Sequence, residues 1–175
     1  MSETGWAAVS AIAAVLALAA AAGVYLGQSR QADFALARSL HADLTSGEVA
    51  QAREVLGTLV HDPGAIDEDD WVKVRQSYFT LLWCFERVYA GWYVLASGGK
   101  LSRGPLGFLD RMIRWHVEYW EANFPVVKVE LGRALQQTVK DGNSWKAFEA
   151  LSSALAGRND VTLREAQDGQ RRSTT

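Results

Sequence analysis

The chain has 175 residues and a formal net charge of −2, with 49% apolar residues, seven tryptophans and one cysteine. That is enough apolar material for one packed domain plus small extras, and the balance lacks the strongly basic footprint of a nucleic-acid binder, so none is expected. A single cysteine, Cys84, excludes an intrachain disulfide framework or a cysteine-based metal site, and its run Leu81-Leu82-Trp83-Cys84-Phe85 marks it as a small buried hydrophobe.

The charge is unevenly spread. Residues 28–70 hold three arginines and nine acids, a net −6, whereas residues 71–157 hold eleven basic residues and seven acids, a net +4. Two such halves either face each other or present different surfaces to partners. Thirteen arginines against five lysines, with abundant alanine, suggest a GC-rich bacterial genome.

After a short segment 1–5, residues 6–27 read WAAVSAIAAVLALAAAAGVYLG, 22 residues without a charge. A bilayer core needs about 20 helical residues, and Trp6 and Tyr25 stand where interfacial anchors belong. A secretory signal peptide would carry a basic leader and a shorter apolar core, whereas Met-Ser-Glu-Thr-Gly has no Lys or Arg. A buried Ala-rich helix would need a very large core to hide it. The expectation is a single-pass transmembrane helix. Arg30 and Arg38 follow the span and no basic residue precedes it, which puts the N-terminus outside and the C-terminus in the cytoplasm, at the inner (plasma) membrane. Ala19, Gly23 and Gly27 recur every fourth residue, a small-residue face that favours a homodimer in lipid.

Residues 28–157 read as a helical cytoplasmic domain, making the chain all-α with a bundle of about five helices. The first helix continues from the membrane through Phe34, Leu36, Leu40 and Leu44 to Gly47. Thr45-Ser-Gly-Glu48 resembles a capping box opening a helix with Val49, Ala52, Val55, Leu56, Leu59 and Val60 on one face. His61-Asp-Pro-Gly64 breaks it. Asp67-Glu-Asp-Asp70 sits at a helix start, where it would cap and complement the helix dipole; the ligand alternation of a calcium loop is absent.

Trp71 to Ser97 is the longest helix of the domain. Trp71, Val74, Tyr78, Leu81, Phe85, Val88, Trp92 and Leu95 form a heptad seam, and Val72, Phe79, Leu82, Tyr89 and Tyr93 a second stripe. A helix apolar on two faces belongs at the centre of a bundle. Gly98-Gly99 ends it. The next helix spans about 103–122 with Leu106, Leu109, Ile113, Trp120 and Phe124 on its core face. Asn123-Phe-Pro125 predicts a restart, with Val126, Val129, Leu131 and Leu135 as core positions. A turn at Asp141-Gly-Asn143 leads to a short last helix through Trp145, Phe148, Leu151 and Leu155. Residues 158–175 are polar and read as a disordered tail.

Two constellations bear on chemistry. Glu86 on the second apolar stripe and His116 near the next core face would meet across the Gly98-Gly99 hairpin, as a structural hydrogen bond, or as an acid/base pair or half a metal site. Lys100, Arg103, Arg111 and Arg114 form a basic surface, a solvated face or one set against lipid headgroups or a nucleic-acid backbone. Carboxylate–histidine pairs for a di-metal bundle, His-x-x-x-His, Gly-x-Ser-x-Gly and the phosphate-loop glycine pattern are missing, so neither an enzyme, a metal nor a cofactor is expected.

The stretch from Ala37-Arg38 to Trp120, with Ala52-Arg53, Phe85-Glu86 and the Gly99-Lys-Leu turn, resembles an uncharacterised family of bacterial proteins with one N-terminal span and a helical cytoplasmic domain. The resemblance implies a compact bundle with an acidic residue in its central helix, and architecture rather than activity. It carries a remote link to bacterial defence. The functional expectation is a membrane-anchored, non-enzymatic scaffold or interaction module with a protein partner. The alternatives are an oligomerising membrane effector and an enzyme using Glu86 and His116.

Overall fold

A computed structural model describes the backbone of residues 3–172 and the side chains of residues 12–158. Met1, Ser2, the Trp6 side chain and the last three residues of the expected tail lie outside the described residues. Five α-helices, α1 (Glu3–Thr45), α2 (Gly47–His61), α3 (Trp71–Ser97), α4 (Arg103–Leu135) and α5 (Gly142–Arg172), make up the fold, with no strand among the described residues. Two three-residue 3₁₀ turns, Pro63–Ala65 and Glu68–Asp70, join α2 to α3.

The first helix has two halves of different chemistry and no break between them. Its N-terminal half is the one helix among the described residues long and apolar enough to cross a membrane, and none of its most apolar window is buried by the rest of the chain. Its C-terminal half buries Ala37, Leu40 and Leu44 in the bundle core. At the end of α1 the Thr45 and Ser46 hydroxyls reach back to the His41 and Ala42 carbonyls, at 2.9 and 2.6 Å. They therefore satisfy the carbonyls of α1 instead of forming the expected capping box on α2, and Ser46 makes no side-chain cap. Gly47 turns the chain with φ +58°, a conformation open to glycine at little cost.

The central helix is α3, which touches all four others. Its expected seam is buried from Val74 to Leu95. Gly91 lies against Leu40, and a Cβ there would meet the Leu40 side chain, with Cγ only 3.2 Å away. Phe85, Phe124 and Phe148 from α3, α4 and α5 meet edge to face at 4.9–6.1 Å and close the core.

Two expectations about the later helices are corrected. Pro125 does not restart a helix; it lies inside the unbroken α4. Proline removes one backbone donor, but its ring is on the exposed side, where water serves the carbonyl left behind, and Asn123 Nδ2 donates to the Tyr119 carbonyl at 2.6 Å one turn earlier. The continuous register buries Phe124, Val127 and Leu131 and leaves Val126 and Val129 outside. The last helix is not short either. The expected tail begins at Arg158, but α5 runs through it to Arg172, and Arg158 is tied to α4 by its Nε donating to Asp110 at 2.7 Å. An isolated glycine at 157 costs a nucleated helix only about 1 kcal/mol.

Candidate functional site

The outer face of α3 remains partly uncovered. Val72, Trp83 and Val94 are each more than half exposed, at 56, 55 and 58%. Intervals of eleven residues are three helical turns plus about 20°, so these side chains share one face. Along its first half this face floors a cleft of about 790 Å³. One wall is α2 (Glu48, Gln51, Val55) and the other is the α4–α5 connection from Gln137 to Lys140. Phe79 and Trp83 lie ring against ring at 5.8 Å on the floor, with Gln76 and Thr80 beside them. Lys73, Arg75 and Lys140 add three cations against one acid, Glu48.

A buried carboxylate fixes the second wall. Gln136 ends α4 in the left-handed region, φ 51°, and the chain returns to start α5 at Asp141, whose carbonyl accepts from Trp145 N at 3.2 Å. The Asp141 side chain is 6% exposed and accepts from Tyr78 Oη at 2.5 Å and from Lys128 Nζ at 2.8 Å. Burial alone would push its pKa up, but the hydrogen bonds from Lys128 and Tyr78 and the lysine charge prevail and hold it below the usual carboxylate value. Burial, and then the same Asp141 contact, push the Tyr78 phenol far upward, so it stays a donor. Chemically the cleft offers amides, hydroxyls, cations and an accessible indole.

The Glu86–His116 pair does not form. Glu86 is half-buried and accepts from Ser144 Oγ of α5 at 2.6 Å. His116 packs beside His41 of α1, ring centroids 6.4 Å apart, and its Nδ1 is buried without a partner. Desolvation, followed by the charges of Arg53 and His41, pushes His116 down to about 4, so it is neutral at pH 7. The expectation is right in height and wrong in azimuth. In the α3–α4 hairpin Trp92 Nε1 donates to Asp110 at 2.7 Å, and Glu86 and His116 each lie six residues farther from the turn. Glu86 faces α5 and His116 faces α1.

The basic surface also divides. Lys100 and Arg103 are exposed at the α3–α4 turn, and Arg111 is exposed two turns along α4. Arg114 turns inward, donating to the Leu155 carbonyl at 3.2 Å with Glu118 Oε1 4.0 Å away. Ala19, Gly23 and Gly27 lie on the uncovered half of α1, where nothing approaches either glycine within 4 Å.

The sequence reading missed Asp110 and Asp141. Asp110 is 6% exposed and joins three helices through Trp92 and Arg158. It follows Leu109 on a core face, so the reasoning that singled out Glu86 applies to it equally. Among the described residues no group of three His, Cys, Asp or Glu side chains is arranged to hold a metal ion. Comparison of the chain with protein-family models, with curated proteins and with solved structures gives no match.

Proposed function

We propose that this chain is a membrane-tethered interaction module, without catalysis of its own, whose cleft over α3 receives a protein partner in the cytoplasm. The observation that carries the reading is the construction of α1. One unbroken helix has an apolar half left uncovered and a second half built into the core. A helix of this kind inserts as a single span and carries the bundle rigidly. With Arg30 and Arg38 after the apolar stretch, the bundle lies on the inner side. The cleft then stands clear of the bilayer. Gly91 is level with Leu40, and α3 runs back from there to Trp83. At 1.5 Å per residue Trp83 stands about 30 Å beyond Gly27.

The partner surface that fits is amphipathic and acidic. An apolar side chain would cover the exposed Trp83 indole, while carboxylates would meet Lys73, Arg75 and Lys140, none of which has an ion pair among the described residues. The test is affinity purification of the full chain from native membranes, with cross-linking and mass spectrometry. A protein cross-linked to residues 73–83 and lost in Trp83→Glu supports the reading; recovery identical with wild type and Trp83→Glu refutes it.

The open small-residue face supports a second reading, association of two spans through Ala19, Gly23 and Gly27 as in an oligomerising effector. Gly23→Leu with Gly27→Leu would abolish a cross-linked dimer in membranes, and overexpression of the wild type alone would depolarise cells.

A further inference from the structure

We infer that the α3–α4 turn is a docking point for anionic phospholipid headgroups, with Lys100 and Arg103 from the turn and Arg30 from α1 as the contacting cations. The inference rests on α1 crossing the bilayer, and it adds which lipid class the domain touches and with which residues.

Two contacts fix the height of the turn. Ser102, 3% exposed, donates through Oγ to the Asp33 carboxylate at 2.6 Å. At Gly104 the α4 backbone comes so close to α1 that a Cβ would lie 3.5 Å from the Phe34 ring and 3.7 Å from Arg30 Nη2. The tip of the hairpin is thereby held level with residues 30–34 of α1. At 1.5 Å per residue these stand about 4.5–10 Å beyond Gly27, the last residue of the apolar stretch. The headgroup layer of one leaflet occupies roughly the first 5–8 Å outside the hydrocarbon. A turn at that height is in the headgroups.

The side chains there suit an anionic surface. Arg30, Lys100 and Arg103 are exposed, and none has an ion pair among the described residues. No acid occurs between Glu86 and Asp110, and Asp110 is buried on Trp92 and Arg158. The nearest acid, Asp33, is occupied by Ser102. Leu101, 43% exposed at the tip, offers the apolar side chain that enters between headgroups. The same geometry removes half of the basic surface expected from sequence. Phe108 is level with Phe34 and His116 with His41, which places Arg111 about 15 Å beyond Gly27, outside the layer, and Arg114 is bonded to α5.

The experiment uses the full chain in liposomes containing either a photoactivatable phosphatidylglycerol or the phosphatidylcholine with the same photoreactive group. Adducts are mapped by mass spectrometry. Each cation near an anionic surface is worth about five-fold in local affinity. The expected result is adducts on residues 98–104 at least several-fold richer with the anionic probe. They should fall by about 25-fold in Lys100→Gln/Arg103→Gln and stay unchanged in Arg111→Gln, all exposed positions whose replacement leaves the fold intact. Equal labelling by the two lipids, or a labelled 12–27 segment with an unlabelled turn, overturns the inference while α1 remains a span. An unlabelled 12–27 segment in a chain released by alkaline carbonate overturns the span itself, and the docking point with it.

Discussion

Acidification provides the sharpest test of the interior, because His116 is a base in the wrong place. It is 9% exposed, its Nδ1 lacks a partner, and it lies near Arg53 and His41. Its pKa falls from 6.5 in the unfolded chain to about 4 in the fold. A depressed folded pKa means that the unfolded chain takes up the proton first. The associated stability is complete above pH 6.5 and is lost as pH falls toward 4. The whole difference corresponds to roughly 3 kcal/mol, of which about 2 kcal/mol is gone by pH 5. Other groups titrate in this range, so the reading is made as a difference. His116→Leu keeps the volume approximately and removes the titration. Urea unfolding of full chains in mild detergent should give closely similar stabilities at pH 7.5. At pH 5 the variant should be the more stable by about 2 kcal/mol. Two curves that fall in parallel between pH 7 and 5 would show that His116 is protonated as readily in the fold as out of it, and the packing argument around Arg53 and His41 would be refuted.

Further outcomes follow from the carboxylate nodes and the close helix contact. Asp110→Ala leaves the Trp92 indole N–H, in a side chain only 8% exposed, without its acceptor and should cost about 1–3 kcal/mol; a double-mutant cycle with Trp92→Phe should show non-additivity of at least 0.5 kcal/mol. Asp141 titrates below its usual value, so its contribution is present above that value and is lost as pH falls through the depressed pKa. Lys128→Met should move this loss to higher pH in the same unfolding assay. Gly91→Ala gains roughly 1 kcal/mol of helix propensity but drives a methyl into Leu40, and a net loss of about 1–2 kcal/mol in thermal unfolding is expected, relieved in part by Leu40→Ala. Ser144→Ala removes the Glu86 hydrogen bond, and measured stability should fall by about 1 kcal/mol with no change in the titration of His116.

The all-α architecture was legible because it is written in period and punctuation. The seam from Val74 to Leu95 and the glycine stop after Ser97 are one-dimensional signals, and the structure carries both. Pro125 misled because a proline on the outer side of a helix has water to serve the orphaned carbonyl, and periodicity does not report which side is outside until the partners are known. The same limit explains Glu86 and His116. Counting from a turn gives height along a hairpin, and it gave the right height. The direction of a side chain around its helix depends on which neighbour fills each flank, here α5 for one residue and α1 for the other. The cleft was illegible for a related reason. Its walls come from residues 48–55, 73–83 and 135–140, and no local pattern announces that three distant segments leave a gap. Asp110, by contrast, was within reach of the sequence, as an acid on an apolar face beside a helix rich in indole donors.

The unbroken α1 has a mechanical consequence. With no flexible joint between Gly27 and Ala37, the rotational phase of the apolar half of α1 and that of the bundle are one variable. Each residue of helix advances the azimuth by about 100°. A one-residue insertion after Gly27 would swing the bundle about a quarter turn relative to the small-residue face, while a four-residue insertion would restore its phase to within about 40° at the expense of about 6 Å of height. If α1 crosses the bilayer as proposed, two copies meeting through Ala19, Gly23 and Gly27 would present their clefts at an angle set by that contact, and any twist imposed on the apolar half would be delivered, undamped, to the bundle.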